Sequence, residues 1–218
     1  DLQYELGKGP DYVTGYDTNW GRLKSITRPV PGNHEYTGGR AAGYFGYFGE
    51  AAHGPGGWYS FDLGAWHVIV LNSVCGAVGG CGPGSPQHQW LVADLDATAS
   101  ACILAAWHHP RWSSGLHGSD ASMEPFWQVL ASHGADLVLS GHDHHYERFA
   151  PRDGIVQVVA GTGGRSLYPV FGRDEGSRMN QARGFGVVEV ELSTDAYRLT
   201  FHPVPGFDFA DTAAGSCS

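Results

Sequence analysis

The apolar positions of the chain fall in short runs, and these runs predict a mixture of strands and helices. Residues 58–63 and 66–71 are apolar runs joined by a short connection, which predicts an antiparallel hairpin. An amphipathic pattern over 87–98 predicts one helix, and a second helix is predicted over about 123–133. Further strands are predicted at 102–107, 136–140 and 155–160, with a closing hairpin over 184–192 and 197–203.

The order of these elements predicts the fold class. Buried strands at 102–107 and 136–140 alternate with helices, whereas the first and last hairpins are antiparallel. This combination predicts a mixed α/β (α+β) fold, with two packed mixed β-sheets flanked by helices. The length suits a single domain over residues 1–218. Residues 32–35 are interpreted as a loop, and the Gly-rich and aromatic segment 36–57 as an irregular surface segment.

Composition narrows the classes of partner. Hydrophobic residues make up 42% of the chain and charged residues 16%, which is typical of a globular protein. The formal charge of -9 argues against non-specific nucleic-acid binding, which needs a basic surface. No apolar run reaches the ~18 residues of a membrane-spanning helix, so we expect no membrane contact. A small phosphate substrate is compatible with the negative net charge, because bound metal ions would supply positive charge at the site.

The four cysteines are even in number and lack CxxC spacing. This pattern favours two disulfides and an oxidising compartment, with four reduced, buried thiols as the alternative. Three pairings are open, and Cys75–Cys81 is the one that closes only a short loop. We therefore expect a secreted or periplasmic protein, although the chain carries no signal peptide and opens with Asp1.

Three polar clusters each follow an apolar run. They are Gly32-Asn33-His34-Glu35, His108-His109-Pro110 with His117 nearby, and Gly141-His142-Asp143-His144. Singly, each has an ordinary structural explanation as a turn or as packed imidazoles. Together they supply imidazole, amide and carboxylate ligands, a set that suits Zn, Mn, Fe or Co. His142 and His144 are two residues apart, so in an extended segment both would lie on one face.

Other catalytic signatures are missing from the sequence. It contains no Walker-type loop, no GxSxG elbow and no HExxH motif. The sequence signatures of P-loop proteins, serine hydrolases and zincins are therefore absent. The segment Gly161-Thr162-Gly163-Gly164 fits no standard phosphate loop and is interpreted as a tight turn beside the site.

The order Gly-Asn-His-Glu, His-x-Pro and Gly-His-x-His resembles the calcineurin-like metallophosphoesterase superfamily. Within it, the chain resembles the purple-acid-phosphatase-like branch and related secreted bacterial phosphatases, a likeness strengthened by the Tyr-Glu-Arg that follows Gly-His-x-His. The family's Gly-Asp-x-x-Tyr block matches Asp1 to Tyr4 with its Gly removed. The family's first block, a strand that ends in a metal-binding Asp, has no match here. We therefore expect a chain truncated at the N-terminus and lacking the first strand.

The resemblance also implies the roles of individual residues. It implies a centre of two metal ions, of Fe, Zn or Mn or a mixture, with Asp1 as the bridging carboxylate. Tyr4 and His144 would bind the first ion, and Asn33, His108 and His142 the second. His34 would act as general acid or hydrogen-bond donor and His117 would face the substrate, whereas His109 would serve packing.

The implied function is hydrolysis of phosphate esters, foremost phosphomonoesters, by a metal-activated hydroxide. A phosphodiesterase or nucleotidase of the same superfamily is an alternative, because specificity resides in the loops. A decayed module that binds metal or phosphate without catalysis is another, and the unmatched first block would suit it. The retained Asn33-His34 pair and the His142/His144 pair argue against decay.

Overall fold

The computed structural model describes residues 1–217, and its largest element is a seven-stranded mixed sheet. The sheet has the order β1-β2-β3-β4-β6-β5-β7. Strands β2, β3, β4 and β6 are mutually parallel, whereas β1 and β5 run antiparallel to their neighbours. Its strands are β1 (Tyr59–Leu63), β2 (Trp66–Val70), β3 (Cys102–Ala106), β4 (Leu137–Ser140), β5 (Tyr146–Phe149), β6 (Val156–Ala160) and β7 (Ser177–Gln181).

A second, antiparallel sheet has the order β10-β9-β8. Its strands are β8 (Gly186–Leu192), β9 (Ala196–Pro203) and β10 (Thr212–Ser216). Buried residues alternate with more exposed ones along β9, as expected for a strand with one face on the core. The second sheet is therefore one-sided, and its inner face packs against the larger sheet.

Helices and shorter helical turns cover the other side and the N-terminal region. The helices are α1 (Asn33–Thr37), α2 (Ala42–Phe48), α3 (Pro86–Ala97) and α4 (Glu124–Ser132). Before α1, short helical pieces follow one another at Gly9–Asp11, Tyr12–Tyr16, Asp17–Asn19 and Gly21–Ile26. Among the described residues, no helix combines the length and apolarity needed to cross a bilayer.

The larger sheet is buried on both faces, which explains why its central strands are continuously apolar. Ile69 and Ile103 pack with Leu91 and Trp127 of the helices on one face. Val68 and Leu104 pack with Phe201 of the second sheet on the other. A third cluster, made of tyrosine and phenylalanine side chains, joins the N-terminal turns to α2. The predicted architecture of two sheets flanked by helices is confirmed.

Both pairs of cysteines form disulfides. Cys75 pairs with Cys81, as expected from the short loop. Cys102, at the start of β3, pairs with Cys217, just after β10, and so ties the larger sheet to the second one. The two disulfides confirm the expectation from the cysteine count.

Several local predictions were wrong or incomplete. Residues 32–35 are not a loop, because Asn33 begins α1, where the Glu35 carboxylate accepts the Gly32 N–H. The segment 36–57 holds α2 rather than being irregular. Strands β5, β7 and β10 were not predicted. The two hairpins, the helices α3 and α4, and strands β3, β4 and β6 are confirmed with small shifts in their ends.

Candidate metal centre

The polar clusters meet at one edge of the larger sheet, where the parallel strands end. His108 follows β3, and His142 and His144 follow β4. Carboxyl ends of parallel strands lie at the same edge, where ligand sites form in sheets of this kind. Asn33 reaches the edge from the N-terminus of α1 and Asp1 from the start of the chain. All six candidate metal ligands are therefore brought together.

One group of ligand atoms surrounds the imidazole of His108. Its Nε2 lies 3.1 Å from Oδ1 of Asn33, 3.1 Å from Nδ1 of His142 and 3.2 Å from Oδ2 of Asp1. The side chains of His108 and Asp1 are almost fully buried. These four residues form the group that the resemblance assigns to the second metal.

A second group shares the same carboxylate oxygen. The Tyr4 hydroxyl donates to Oδ2 of Asp1 at 2.9 Å and lies 3.1 Å from Nε2 of His144. Nδ1 of His144 lies 2.7 Å from the carbonyl oxygen of Ser166, which can only accept a hydrogen bond. Nδ1 therefore carries the hydrogen, and Nε2 presents its lone pair to the site. Oδ2 of Asp1 thus lies between the two groups, as a bridging ligand would.

The close polar atoms at this site outnumber the hydrogens available to bond them, which indicates that the residues fit metal ions. A neutral imidazole nitrogen carries one hydrogen or one lone pair, yet Nε2 of His108 has three close polar neighbours. The single hydrogen of the Tyr4 hydroxyl likewise lies between two acceptors, Asp1 and His144. Cations would accept the lone pairs that hydrogens cannot satisfy. Nitrogen and oxygen ligands of this kind suit Zn, Mn, Fe or Co.

The candidate ligands also have the protonation states that metal binding requires. Burial, with the adjacent imidazoles of His109 and His142, holds the pKa of His108 well below its usual value. Burial and the neighbouring His109 and His117 lower the pKa of His142 to about 3. Burial also lowers the pKa of His144. These imidazoles are neutral at neutral pH and free to donate lone pairs.

The phenol of Tyr4, unlike these imidazoles, is not in the protonation state that binds a metal ion. Burial and the nearby carboxylate of Glu35 raise its pKa above the ordinary value for tyrosine. Tyr4 is therefore protonated in the absence of a cation, and it would bind a metal as phenolate only if that metal displaced the proton.

His109 was assigned to packing, but its ring belongs to the same cluster. One ligand atom from each of His108, His109 and His142 lies within 4.8 Å of the others. Nδ1 of His109 lies 2.8 Å from Oγ of Ser73, which also accepts the His109 N–H. Ser73 follows β2, so this strand also contributes to the site. The adjacent His-His pair was the sequence signal, but it could not tell that both rings face one space.

The two candidate catalytic histidines flank the cluster. The ring of His34 lies 4.3 Å from that of Tyr4, and its Nδ1 is 2.7 Å from the carbonyl oxygen of Glu5. The exposed ring of His117 lies 4.4 Å from that of His142. Tyr168 stacks on His144 at 4.0 Å and forms a further side of the site. The two histidines therefore lie beside different groups of ligands.

The prediction that His142 and His144 share one face of an extended segment was wrong. His142 has φ of 63°, in the left-handed region, so the chain turns sharply after Gly141. His142 consequently faces His108, whereas His144 faces Tyr4. The turn divides the two imidazoles between the two groups of ligands.

Glu35 is a buried residue of the site whose role the sequence analysis missed. Its carboxylate accepts hydrogen bonds from the N–H groups of Leu2 and Gly32 at 2.9 and 2.7 Å. Burial alone would raise its pKa, but the hydrogen bonds from these N–H groups hold the pKa below its usual value. Glu35 thus fixes the backbone that carries Asp1 relative to the backbone that carries Asn33. A Gly32-x-x-Glu35 capping pattern was the available signal.

Comparison with known proteins identifies the family to which the chain belongs. The profile of the calcineurin-like phosphoesterase family matches residues 10–146. The chain is 30% identical over 172 residues to purple acid phosphatase 15 of Arabidopsis thaliana, covering 66% of this chain and 32% of that protein. It is 31% identical over 170 residues to an uncharacterized protein, Rv2577, of Mycobacterium tuberculosis, covering 67% and 31%. The chain belongs to the calcineurin-like phosphoesterase family, in its purple-acid-phosphatase-like branch.

Solved structures agree on the fold. A purple acid phosphatase from yellow lupin (Lupinus luteus) seeds superposes with a TM-score of 0.75 at 17% identity, covering 94% of this chain and 44% of that one. A dimetal phosphatase from Danio rerio gives a TM-score of 0.63 at 15% identity, covering 97% and 81%. The two curated relatives are matched over about a third of their own length.

Proposed function

We propose that this chain carries the catalytic site of a dinuclear metal-dependent phosphatase that hydrolyses phosphomonoesters. The observation that carries the proposal is the position of Asp1 Oδ2 between two groups of nitrogen and oxygen ligands. When bound, the metal pair supplies Lewis acidity that activates water and neutralises charge on the phosphoryl oxygens. Fe, Zn and Mn all suit the donor set.

The chain's own histidines would perform the remaining tasks. The Nδ1–H of His34 donates to the Glu5 carbonyl oxygen, which holds the ring at the edge of the site. Nε2 of His34 is then available to exchange a proton with the leaving oxygen. His117, exposed beside His142, would contact and orient the substrate. The substrates that we propose are small phosphate esters.

Secretion is part of the proposal and is supported by two disulfides, which persist in oxidising compartments. The net charge of -9 supports the expectation that nucleic acid is not bound non-specifically.

The test begins with metal content. The complete protein that carries this chain is loaded with Zn, Mn or Fe, and metal per chain is measured by mass spectrometry. We expect about two ions per chain, fewer in His142→Ala, and no change in the control His133→Ala, whose imidazole pairs with Asp96 far from the site. Folded wild-type protein without metal would contradict the proposal.

Activity then separates the alternatives. An aryl phosphomonoester and the corresponding diester are compared on the same loaded samples. Preference for the monoester supports the proposal, whereas preference for the diester favours the phosphodiesterase alternative. Bound metal without hydrolysis of either ester would favour the non-catalytic module.

A further inference from the structure

His117 lies at the site although its own side chain has little to hold it there. The residue is exposed, as is its neighbour Leu116 at 50%. Its ring contacts those of His142 at 4.4 Å and Tyr168 at 5.4 Å. An exposed side chain with few packing contacts moves freely unless its backbone is fixed. The position of the His117 ring therefore depends on what holds the loop of residues 113–117.

The loop is held by the carboxylate of Asp143, which is fully buried. Oδ1 of Asp143 accepts the N–H of His117 at 2.8 Å. Oδ2 accepts the hydroxyl of Ser113, whose Oγ in turn accepts the N–H of Gly115 at 3.0 Å. Asp143 thus binds both ends of the turn that presents His117.

The loop backbone at Gly115 lies so close to Asp143 that only glycine fits at this position. A Cβ atom at Gly115 would lie 2.6 Å from Cγ of Asp143 and 2.7 Å from Cε1 of His145. These distances are shorter than any ordinary carbon contact, and both neighbours are buried. Gly115 therefore allows the loop backbone to lie directly on the Asp143 carboxylate.

A second carboxylate anchors the same loop without touching His117. Glu147 accepts the N–H and the hydroxyl of Ser114 at 2.8 and 2.7 Å. The same carboxylate also lies 3.0 Å from Nε2 of His145 and interacts with the side chain of Ser177. Glu147 thus offers a comparison in which the loop loses an anchor but His117 keeps its own.

We propose that Asp143 is the positioning residue of His117, and that its carboxylate holds the His117 imidazole beside His142, where substrate binds. Both oxygens of Asp143 bond to the loop. Asp143 is accordingly not a metal ligand, although it stands between two candidate ligands in the sequence. The inference rests on the proposed function for the substrate contact of His117, but the position of the loop can be measured independently.

The first test needs no variant. In the wild-type protein loaded with Zn, the His117 amide should exchange with deuterium at least roughly tenfold more slowly than the amides of Leu116 and Gly118. Neither of these two amides donates a hydrogen bond among the residues that the structure describes. Equal exchange rates at the three amides would overturn the proposal, whether or not the protein is a phosphatase.

The second test is a double-mutant cycle of Asp143→Ala with His117→Ala. Asp143→Ala should lower kcat by roughly tenfold or more while keeping its metal, and should add almost nothing to His117→Ala. Asp143→Asn should restore much of the activity, because an amide oxygen still accepts the His117 N–H and Ser113 can reverse its hydrogen bond. Losses that multiply in the double variant would overturn the proposal.

Glu147→Gln controls for a general loosening of the loop. It should lower stability, but its effect on kcat should be independent of His117 and so multiply with that of His117→Ala. If Glu147→Gln and Asp143→Ala were equally non-additive with His117→Ala, the specific role of Asp143 would be wrong. If Asp143→Ala does not fold, the amide exchange of the wild-type protein decides whether Asp143 holds the His117 backbone, and a large loss of kcat in a folded Asp143→Asn variant would overturn the proposal.

Discussion

The hydroxyl of Tyr12 donates a hydrogen bond of 2.9 Å to the carboxylate of Glu35, and both side chains are buried. This bond joins the N-terminal helical turns to the base of the candidate metal centre. The same carboxylate binds the backbone at Leu2 and Gly32. Glu35 therefore holds together the backbone segments of the site, although it is not itself a candidate metal ligand.

Replacing Glu35 should therefore be costly. Glu35→Gln keeps the size of the side chain but turns an amide NH2 toward N–H donors, so we expect a loss of about 3 kcal/mol in the free energy of unfolding. Tyr12→Phe removes one donor and should lose about 1 kcal/mol. Chemical denaturation measures both. The exposed Glu50→Gln is the control, expected to stay within about 0.5 kcal/mol, and an equally small effect of Glu35→Gln would contradict the assigned role.

The sequence predicted the parts of the fold that have strong local patterns. Strand β2 was found because its residues are almost continuously apolar, and helix α3 because Leu91 and Leu95 lie four residues apart. Strand β10 was missed because its sequence, Thr-Ala-Ala-Gly-Ser, has small side chains and no strand pattern. It is paired along β9 and tied by Cys217 to β3, which are contacts between distant residues.

In the site, too, residues in short motifs could be predicted, whereas residues whose partners are distant in the sequence could not. The motif residues His108 and His142 were identifiable from short sequence patterns. Asp143 and Glu147 were not, because their partners Ser113 and Ser114 are 30 and 33 residues away in the sequence. Only the fold brings such pairs together, and no spacing in the chain indicates them.

The two disulfides should differ in their effect on stability. Cys102–Cys217 closes a loop with a sequence separation of 115, and Cys75–Cys81 one of 6. Because a longer closed loop restricts the unfolded chain more, replacing the first pair with alanine should cost about 5 kcal/mol and the second about 2 kcal/mol. Denaturation of the two double variants measures the difference. Equal losses would show that local strain or contacts outweigh chain entropy.

The buried His67 should make stability depend on pH. Its Nδ1 and Nε2 lie 2.8 and 2.9 Å from the carboxylates of Asp62 and Asp94. Burial alone would lower its pKa, but the hydrogen bonds to Asp62 and Asp94 raise it above the usual value. Protonated His67 therefore stabilises the fold fully below the unfolded pKa of about 6.5, and the contribution is lost as pH rises through the folded pKa.

The measurement is the free energy of unfolding of wild type and His67→Gln across that range. The advantage of wild type should be largest below pH ~6.5 and shrink as pH rises. His202→Gln is a matched control, since His202 also pairs with a carboxylate but is half exposed. Its effect should stay within about 0.5 kcal/mol at every pH. An advantage that grows with pH at His67 would contradict the sign of the pKa shift.

The division of imidazoles between two groups predicts how metal is lost. His142 faces His108 and Asn33, whereas His144 faces Tyr4. His142→Ala and His144→Ala should each retain about one ion per chain, because the other group of ligands stays intact. Metal analysis and titration with Zn check this. Loss of both ions from either variant would contradict two separable positions.

The proposed acid role of His34 can be tested with the leaving group. An alkoxide needs a proton to depart, whereas an aryl oxide with a low pKa does not. His34→Ala should therefore lower kcat for an alkyl phosphate about a hundredfold or more, and for an activated aryl phosphate less than about tenfold. His202→Ala, on β9 and paired with Glu189, is the control and should leave both rates unchanged. Equal losses on the two substrates would mean that His34 binds the phosphoryl group rather than protonating the leaving oxygen.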